Sequence, residues 1–123
     1  AIVIAGRSRL VSSPLAKILS SKSYNANVTV IHSKTSNQKQ FITQADIFIS
    51  AVGSAKLYDS SYFKQGATII DVGISSVDGK TYGDIDTQNI SEVASYRSPF
   101  PGGVGPITVS ALFFNLSRLV KTN

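Results

Sequence analysis

A chain of 123 residues, 42% hydrophobic and 15% charged, is long enough for one domain with a buried core and too apolar for disorder. It has no Cys and a single histidine, His32, which excludes disulfides, a thiol nucleophile and thiolate or histidine-cluster metal sites. The net charge of +5 is uneven: residues 1–45 carry +6 with no acid, residues 46–96 carry −4 and the remainder +3.

Ile2-Val3-Ile4-Ala5 reads as a first strand at 2–5. Gly6-Arg7-Ser8 follows at once, and Ser12-Ser13-Pro14 then leads into Leu15, Ile18 and Leu19 at helical spacing. That pattern predicts a helix over 14–22, opened by serine caps and a proline. Strand, glycine turn and helix form the first unit of a nucleotide-binding βαβ, although G-x-G-x-x-G is absent and only Gly6 stands where a fingerprint glycine could. Further strands are predicted at 27–31, 46–51 and 67–71, with helices at 37–44 and 59–64. Near-continuous apolar runs suit strands buried on both faces of a parallel sheet. Val77-Asp78-Gly79-Lys80 carries a hairpin turn signal, and a short strand is expected at 94–97. A last helix at about 106–121 sets Val109, Leu112, Phe113, Leu116 and Val120 on one side, where they are expected in the core. The whole predicts an α/β, Rossmann-like doubly wound domain over 1–123, its mostly parallel sheet carrying helices on both faces.

The end of the second strand decides between cofactors. A fold of this kind that prefers NAD holds an acid there for the ribose 2′-hydroxyl. This chain instead has His32-Ser33-Lys34-Thr35, with Arg7 after the first strand. Hydroxyls and cations suit a 2′-phosphate, so NADP is favoured. Loop capping is the alternative role for Ser33 and Thr35, and His32 is equally a packed or solvent-facing loop residue. Ala51-Val52-Gly53 and Val72-Gly73-Ile74 end the third and fourth strands, where open α/β sheets bind ligands. Asp71 is expected to fix a neighbouring loop by hydrogen bonds rather than to act as a catalytic carboxylate. Pro99-Phe100-Pro101-Gly102-Gly103-Val104-Gly105-Pro106-Ile107-Thr108 reads as a stiff loop on a helix N-terminus, with Pro106 in the first helical turn. A tight strand-to-helix connection is the plainer alternative.

These segments, with Ala45-Asp46-Ile47 and Gly83-Asp84-Ile85-Asp86, resemble the nucleotide-binding domain of the methylenetetrahydrofolate dehydrogenase/cyclohydrolase family along essentially the whole chain. The resemblance implies an NADP-linked folate enzyme that oxidises 5,10-methylene-tetrahydrofolate and hydrolyses the 5,10-methenyl product to 10-formyl-tetrahydrofolate. It implies cofactor contacts at Gly6, Arg7, Ser8, His32, Ser33, Ala51, Val52, Gly53, Val72, Gly73, Ile74 and Thr108. Arg7, Ser8 and Ser33 are among these the 2′-phosphate ligands. Pro101, Gly102, Gly103, Val104 and Gly105 form one wall of the folate cleft, with the glycine at 103 expected to leave room for substrate rather than to fold the loop. Ser12 stands where the family usually has glycine, and Ala55 where it usually has proline. The family also forms dimers through this domain.

No catalytic constellation is visible. One histidine supports no Ser-His-Asp set, and none of Tyr24, Tyr58, Tyr62, Tyr82 and Tyr96 has a Lys four residues on. In the family the acid–base residues lie in an N-terminal domain that shares the folate substrate. With no Met, this chain is expected to be a fragment lacking that domain. A homodimer, a cytoplasmic location, and no nucleic-acid, membrane or metal partner are expected. The alternatives are the cofactor domain of another NADP oxidoreductase and a non-enzymatic nucleotide-binding module.

Overall fold

The structure, a computed structural model, describes residues 1–122. In chain order the elements are β1 (Ile2–Ala5), α1 (Ser12–Leu19), β2 (Val28–Ile31), α2 (Gln38–Ile42) and β3 (Ile47–Ser50). A 3-10 turn at Ser60–Tyr62, β4 (Ala67–Asp71), β5 (Ser75–Val77) and β6 (Lys80–Tyr82) follow. A second 3-10 turn at Ile90–Glu92, β7 (Ala94–Arg97) and α3 (Val104–Thr122) complete the chain.

Five strands make one sheet in the order β2-β1-β3-β4-β7, and every pairing in it is parallel. The chain leaves β1 to one side for β2 and returns to the other side for β3, so the strand order reverses at β1. The register keeps the carboxyl ends level: Ala5 lies opposite Ile31 and Ser50, and Ser50 opposite Asp71. All the loops after these strands therefore open on one edge. α1 packs against β1 and β2. Val3, Ala5, Ile31, Phe48, Ala67 and Ile69 form a core with Ile42, Ala45, Phe63, Ile85 and Ile90 beneath α2 and the 3-10 turns. Phe48, fully buried, holds Tyr58 edge-on at 5.1 Å and Phe63 at 5.3 Å. Burial of a side chain of that size contributes roughly 1.5–3 kcal/mol. This is the doubly wound α/β fold expected, with helices on both faces of the sheet.

Four local expectations are corrected. The helix expected at 59–64 is only the 3-10 turn Ser60–Tyr62, because Asp59 and Phe63 on either side are extended, and Phe63 is drawn into the core. The first helix begins at Ser12 rather than Pro14 and ends at Leu19. Neither Ser12 nor Ser13 caps it: Val11 is the N-cap and carries no side-chain cap bond. Ser8 closes the approach instead, its Oγ accepting from Val11 N–H at 3.1 Å, while Ser12 is fully buried with its Oγ unpartnered. Finally, α3 begins at Val104 with Pro106 in its first turn, and Val109, Leu112, Phe113, Leu116 and Val120 are exposed rather than in the core. The hairpin of β5 and β6 turns at Asp78 and Gly79, both at positive φ, as a tight two-residue hairpin requires. Among the described residues no helix is long and apolar enough to cross a membrane.

Candidate functional site

Two cavities open along the carboxyl edge of the sheet. The larger, about 810 Å³, lies at the strand-order reversal beside β1. Open α/β sheets bind their ligands at such a point. Gly6, Arg7 and Ser8 after β1, His32 and Ser33 after β2, and Ala51 and Val52 after β3 all line it. Gly6 is at φ +110°, and a Cβ there would stand 2.5 Å from the Ala51 carbonyl oxygen, so only glycine lets the two strand ends close together. The lining carries two cations, Arg7 and Lys39, and no carboxylate. Both ion pairs among the described residues fall on Asp46, leaving Arg7 and Lys39 without a carboxylate partner.

The loop after β2 is held by its own residues. Thr35 Oγ1 accepts from His32 N–H at 3.0 Å, so Thr35 is the loop cap. His32 Nδ1 accepts from Lys34 N–H at 3.2 Å, which assigns the ring proton to Nε2. Gln38 Nε2 donates to the His32 carbonyl at 3.0 Å and Tyr58 Oη donates to Gln38 Oε1 at 3.1 Å. Burial, aided by the charge of Asp84 and by Tyr62, pushes the Tyr58 hydroxyl up to about 12, so it stays a neutral donor.

The second cavity, about 300 Å³, is lined by Asp71, Val72, Ile74, Thr81 and the loop from Phe100 to Pro106, so it gathers Pro101, Gly102, Gly103, Val104 and Gly105 on one wall. Gly103 is required by the loop itself: a Cβ there would lie 2.1 Å from the Pro99 carbonyl oxygen. Gly102 and Gly105 have nothing within 4 Å. Val72 and Ile74 thus border this cavity rather than the larger one. Thr108 lies on exposed α3 with its Oγ1 donating to the Val104 carbonyl at 3.1 Å, and lines neither cavity.

Asp71 fixes loops, as its place at a strand end suggested. Its carboxylate accepts from Gly73, Asp84 and Ile85 N–H, each at 3.1 Å, and burial pushes its pKa upward. Gly53 gives its N–H to Asp84 at 2.9 Å. Gly73 faces the same carboxylate, which a Cβ would meet at 2.0 Å.

Sequence reasoning missed Gln38, Lys39, Leu57, Tyr58 and Tyr62, which also line the larger cavity. Lys39 reads as a solvated helix residue, yet its Nζ reaches Ser61 Oγ at 3.0 Å and sits 5.3 Å over the Tyr62 ring. The spacing of Tyr58 and Tyr62 after the third strand was the available signal. Asp84 was missed as well, because its partners lie 30 or more residues away in sequence. Among the described residues no group of His, Asp or Glu could hold a metal ion.

A parallel sheet with a cation-lined, acid-free crevice at its strand-order reversal defines a dinucleotide-binding α/β domain. Residues 1–123 match the family model described as tetrahydrofolate dehydrogenase/cyclohydrolase, NAD(P)-binding domain. The chain belongs to that family. It is 45% identical over 120 residues to the bifunctional protein FolD of Halalkalibacterium halodurans and 46% identical over 121 residues to that of Ligilactobacillus salivarius. In both cases it covers 98% of this chain and 42% of the relative, so the chain spans about two fifths of their length. The bifunctional FolD of Campylobacter jejuni superposes with a TM-score of 0.91 at 38% identity, over 98% of this chain and 43% of that one. The Trypanosoma brucei N5,N10-methylenetetrahydrofolate dehydrogenase-cyclohydrolase, solved with NADP cofactor and inhibitor, superposes with a TM-score of 0.84 at 36% identity, over 93% and 41%.

Proposed function

We propose that this chain is the NADP-binding domain of a bifunctional folate enzyme. The enzyme oxidises 5,10-methylene-tetrahydrofolate to the 5,10-methenyl form, with NADP as hydride acceptor, and hydrolyses that product to 10-formyl-tetrahydrofolate. The observation that carries the cofactor reading is the larger cavity, where Arg7, Lys39, Ser8 and Ser33 stand around a space without a carboxylate. That donor set fits a dinucleotide bearing a 2′-phosphate, because charge-assisted hydrogen bonds from a guanidinium and hydroxyls match its oxygens. An acid at the end of β2 would have repelled it.

When bound, NADP supplies the nicotinamide ring that accepts the hydride. This chain's own work is to bind and orient. Gly6 admits the backbone to the crevice, Arg7 and Ser33 hold the 2′-phosphate, and the His32–Thr35 loop keeps Ser33 in place. The Pro101–Gly105 wall borders a separate cavity, which suits a second ligand beside the cofactor, here the folate. The catalytic acid–base groups belong to the part of the enzyme that relatives carry outside this region. A homodimer and a cytoplasmic location complete the reading; light scattering and cell fractionation of the full-length protein test them.

The test is a fluorescence titration of the wild type and Arg7→Ala with NADP and NAD. A hydrogen bond to a charged group contributes roughly 1.5–3 kcal/mol. Arg7→Ala is therefore expected to weaken NADP binding about ten- to a hundredfold, nearer the lower figure because Arg7 is exposed. NAD binding should hardly change. Equal losses for both cofactors would move Arg7 to the diphosphate or the turn, and a wild type that binds neither would overturn the reading.

A further inference from the structure

Asp84 is 0% exposed, and both its carboxylate oxygens are saturated. Oδ2 accepts from Ser50 Oγ at 2.6 Å and from Val52 N–H at 2.8 Å. Oδ1 accepts from Gly53 and Ser54 N–H, both at 2.9 Å. No cation pairs with it among the described residues. Three successive backbone N–H groups curled around one anion form a nest, the geometry many proteins use to hold phosphate. Here the protein's own side chain fills it. Gly53, at φ +79°, lets the turn curl, and Gly73 leaves the carboxylate room.

The position of Asp84 is itself fixed. Its N–H donates to Asp71 Oδ1 at 3.1 Å, and its carbonyl accepts from Tyr58 N–H at 3.1 Å. The turn it grips is a wall of the larger cavity, which Ala51, Val52 and Ser54 line. With all three N–H groups turned inward, that wall presents only side chains and carbonyls to a ligand. A buried carboxylate without a cation carries a large desolvation penalty, and a neutral side chain cannot accept from four donors at once.

We propose that Asp84 is a positioning residue for the dinucleotide: it acts through the 52–54 turn to set the cofactor-side wall, and touches no ligand itself. This rests on the reading of the larger cavity as the NADP site.

The experiment compares wild type, Asp84→Asn, Ser50→Ala and Ile90→Ala. Ile90 is fully buried and lies away from both large cavities, so its truncation supplies a stability loss without a change in the turn. NADP affinity and amide hydrogen exchange at Val52, Gly53 and Ser54 are measured at a temperature where circular dichroism shows each variant folded. Asp84→Asn is expected to weaken NADP at least about tenfold and to speed exchange at those three amides, while Ile90→Ala lowers the melting temperature with NADP affinity within about threefold. Ser50→Ala, which frees one side of the carboxylate, should show a smaller shift in the same two readouts, and it carries the test if Asp84→Asn does not fold. Faster exchange at the turn with wild-type NADP affinity would overturn the proposal. So would an Asp84→Asn loss no larger than that of Ile90→Ala, or, where Asp84→Asn fails to fold, unchanged readouts in Ser50→Ala. A wild type that binds no NADP would instead sink the cofactor reading on which the proposal rests.

Discussion

Two of the three glycines in the proline-rich loop, Gly103 and Gly105, differ in what they leave room for. Gly103 is pressed against the Pro99 carbonyl, 2.1 Å from where a Cβ would stand, whereas Gly105 has nothing within 4 Å and already lies in α3. Gly103→Ala is therefore expected to force the loop apart and lower stability by about 1–3 kcal/mol. Gly105→Ala should be neutral or stabilising by up to roughly 1 kcal/mol, since a helical position favours Ala. Urea unfolding of the two variants checks this, and equal midpoints would show that the loop yields at no cost. Asp71 gives a pH-dependent prediction. Burial raises its pKa above the ordinary 3.8, so the folded state holds its proton more tightly than the unfolded chain does. Its contribution to stability is complete below about that value and is lost as pH rises through the raised one. The stability lead of the wild type over Asp71→Asn should accordingly shrink from acid toward neutral pH, as melting curves across that window would record; a lead that grows would reverse the sign. Asp71 was legible as a loop anchor because an acid closing a β-type run has the backbone N–H groups of the following loop near it. Asp84 was not, since nothing local marks a side chain whose donors come from 30 or more residues back in the chain.

At the scale of elements, periodicity located almost every strand and helix, because Val- and Ile-rich runs and i, i+3, i+4 spacings depend only on neighbours. It failed where a third element decided the outcome. Tyr58 and Tyr62, four residues apart, suit a helix through 59–64, yet Phe63 is pulled into the core beside Phe48, and that leaves only one 3-10 turn. The apolar side of α3 was legible as a pattern, but a pattern does not say what covers it. In this chain Leu112 is 66% and Leu116 53% exposed, and the residues around them are open as well. Leu116→Gln should therefore change the unfolding free energy of this chain by less than about 0.5 kcal/mol. Even plain truncation of a buried leucine to alanine would cost roughly 2–5 kcal/mol. Chemical denaturation decides between them, and a loss in the higher range would mean that α3 folds against the sheet in solution.

For the molecule as a whole, the level register of the strand ends converts scattered loop motifs into one binding edge. Gly6-Arg7-Ser8, His32-Ser33 and Ala51-Val52 are far apart in sequence and line one cavity because β2, β1 and β3 are adjacent and in step. That edge was legible because a βαβ repeat admits few topologies. The division of it into two cavities was not, since it depends on how the 100–106 loop folds back toward β4. The same whole-molecule view bears on catalysis. The histidine, both buried carboxylates and Tyr58 are already committed: His32 Nδ1 to a backbone N–H, Asp71 to three of them, Asp84 to four donors, and Tyr58 to Gln38. With Tyr58 held near 12, it does not supply a base at neutral pH. The curated relatives extend over more than twice this length, the chain covering 42% of them. The chain alone is thus expected to bind NADP and to turn nothing over. Incubation with 5,10-methylene-tetrahydrofolate and NADP should give no rise in NADPH absorbance above an enzyme-free blank, under conditions where titration shows the cofactor bound. A rise above the blank that Arg7→Ala abolishes would mean that these 123 residues hold a complete active site, and that one of the committed groups leaves its partner when folate arrives.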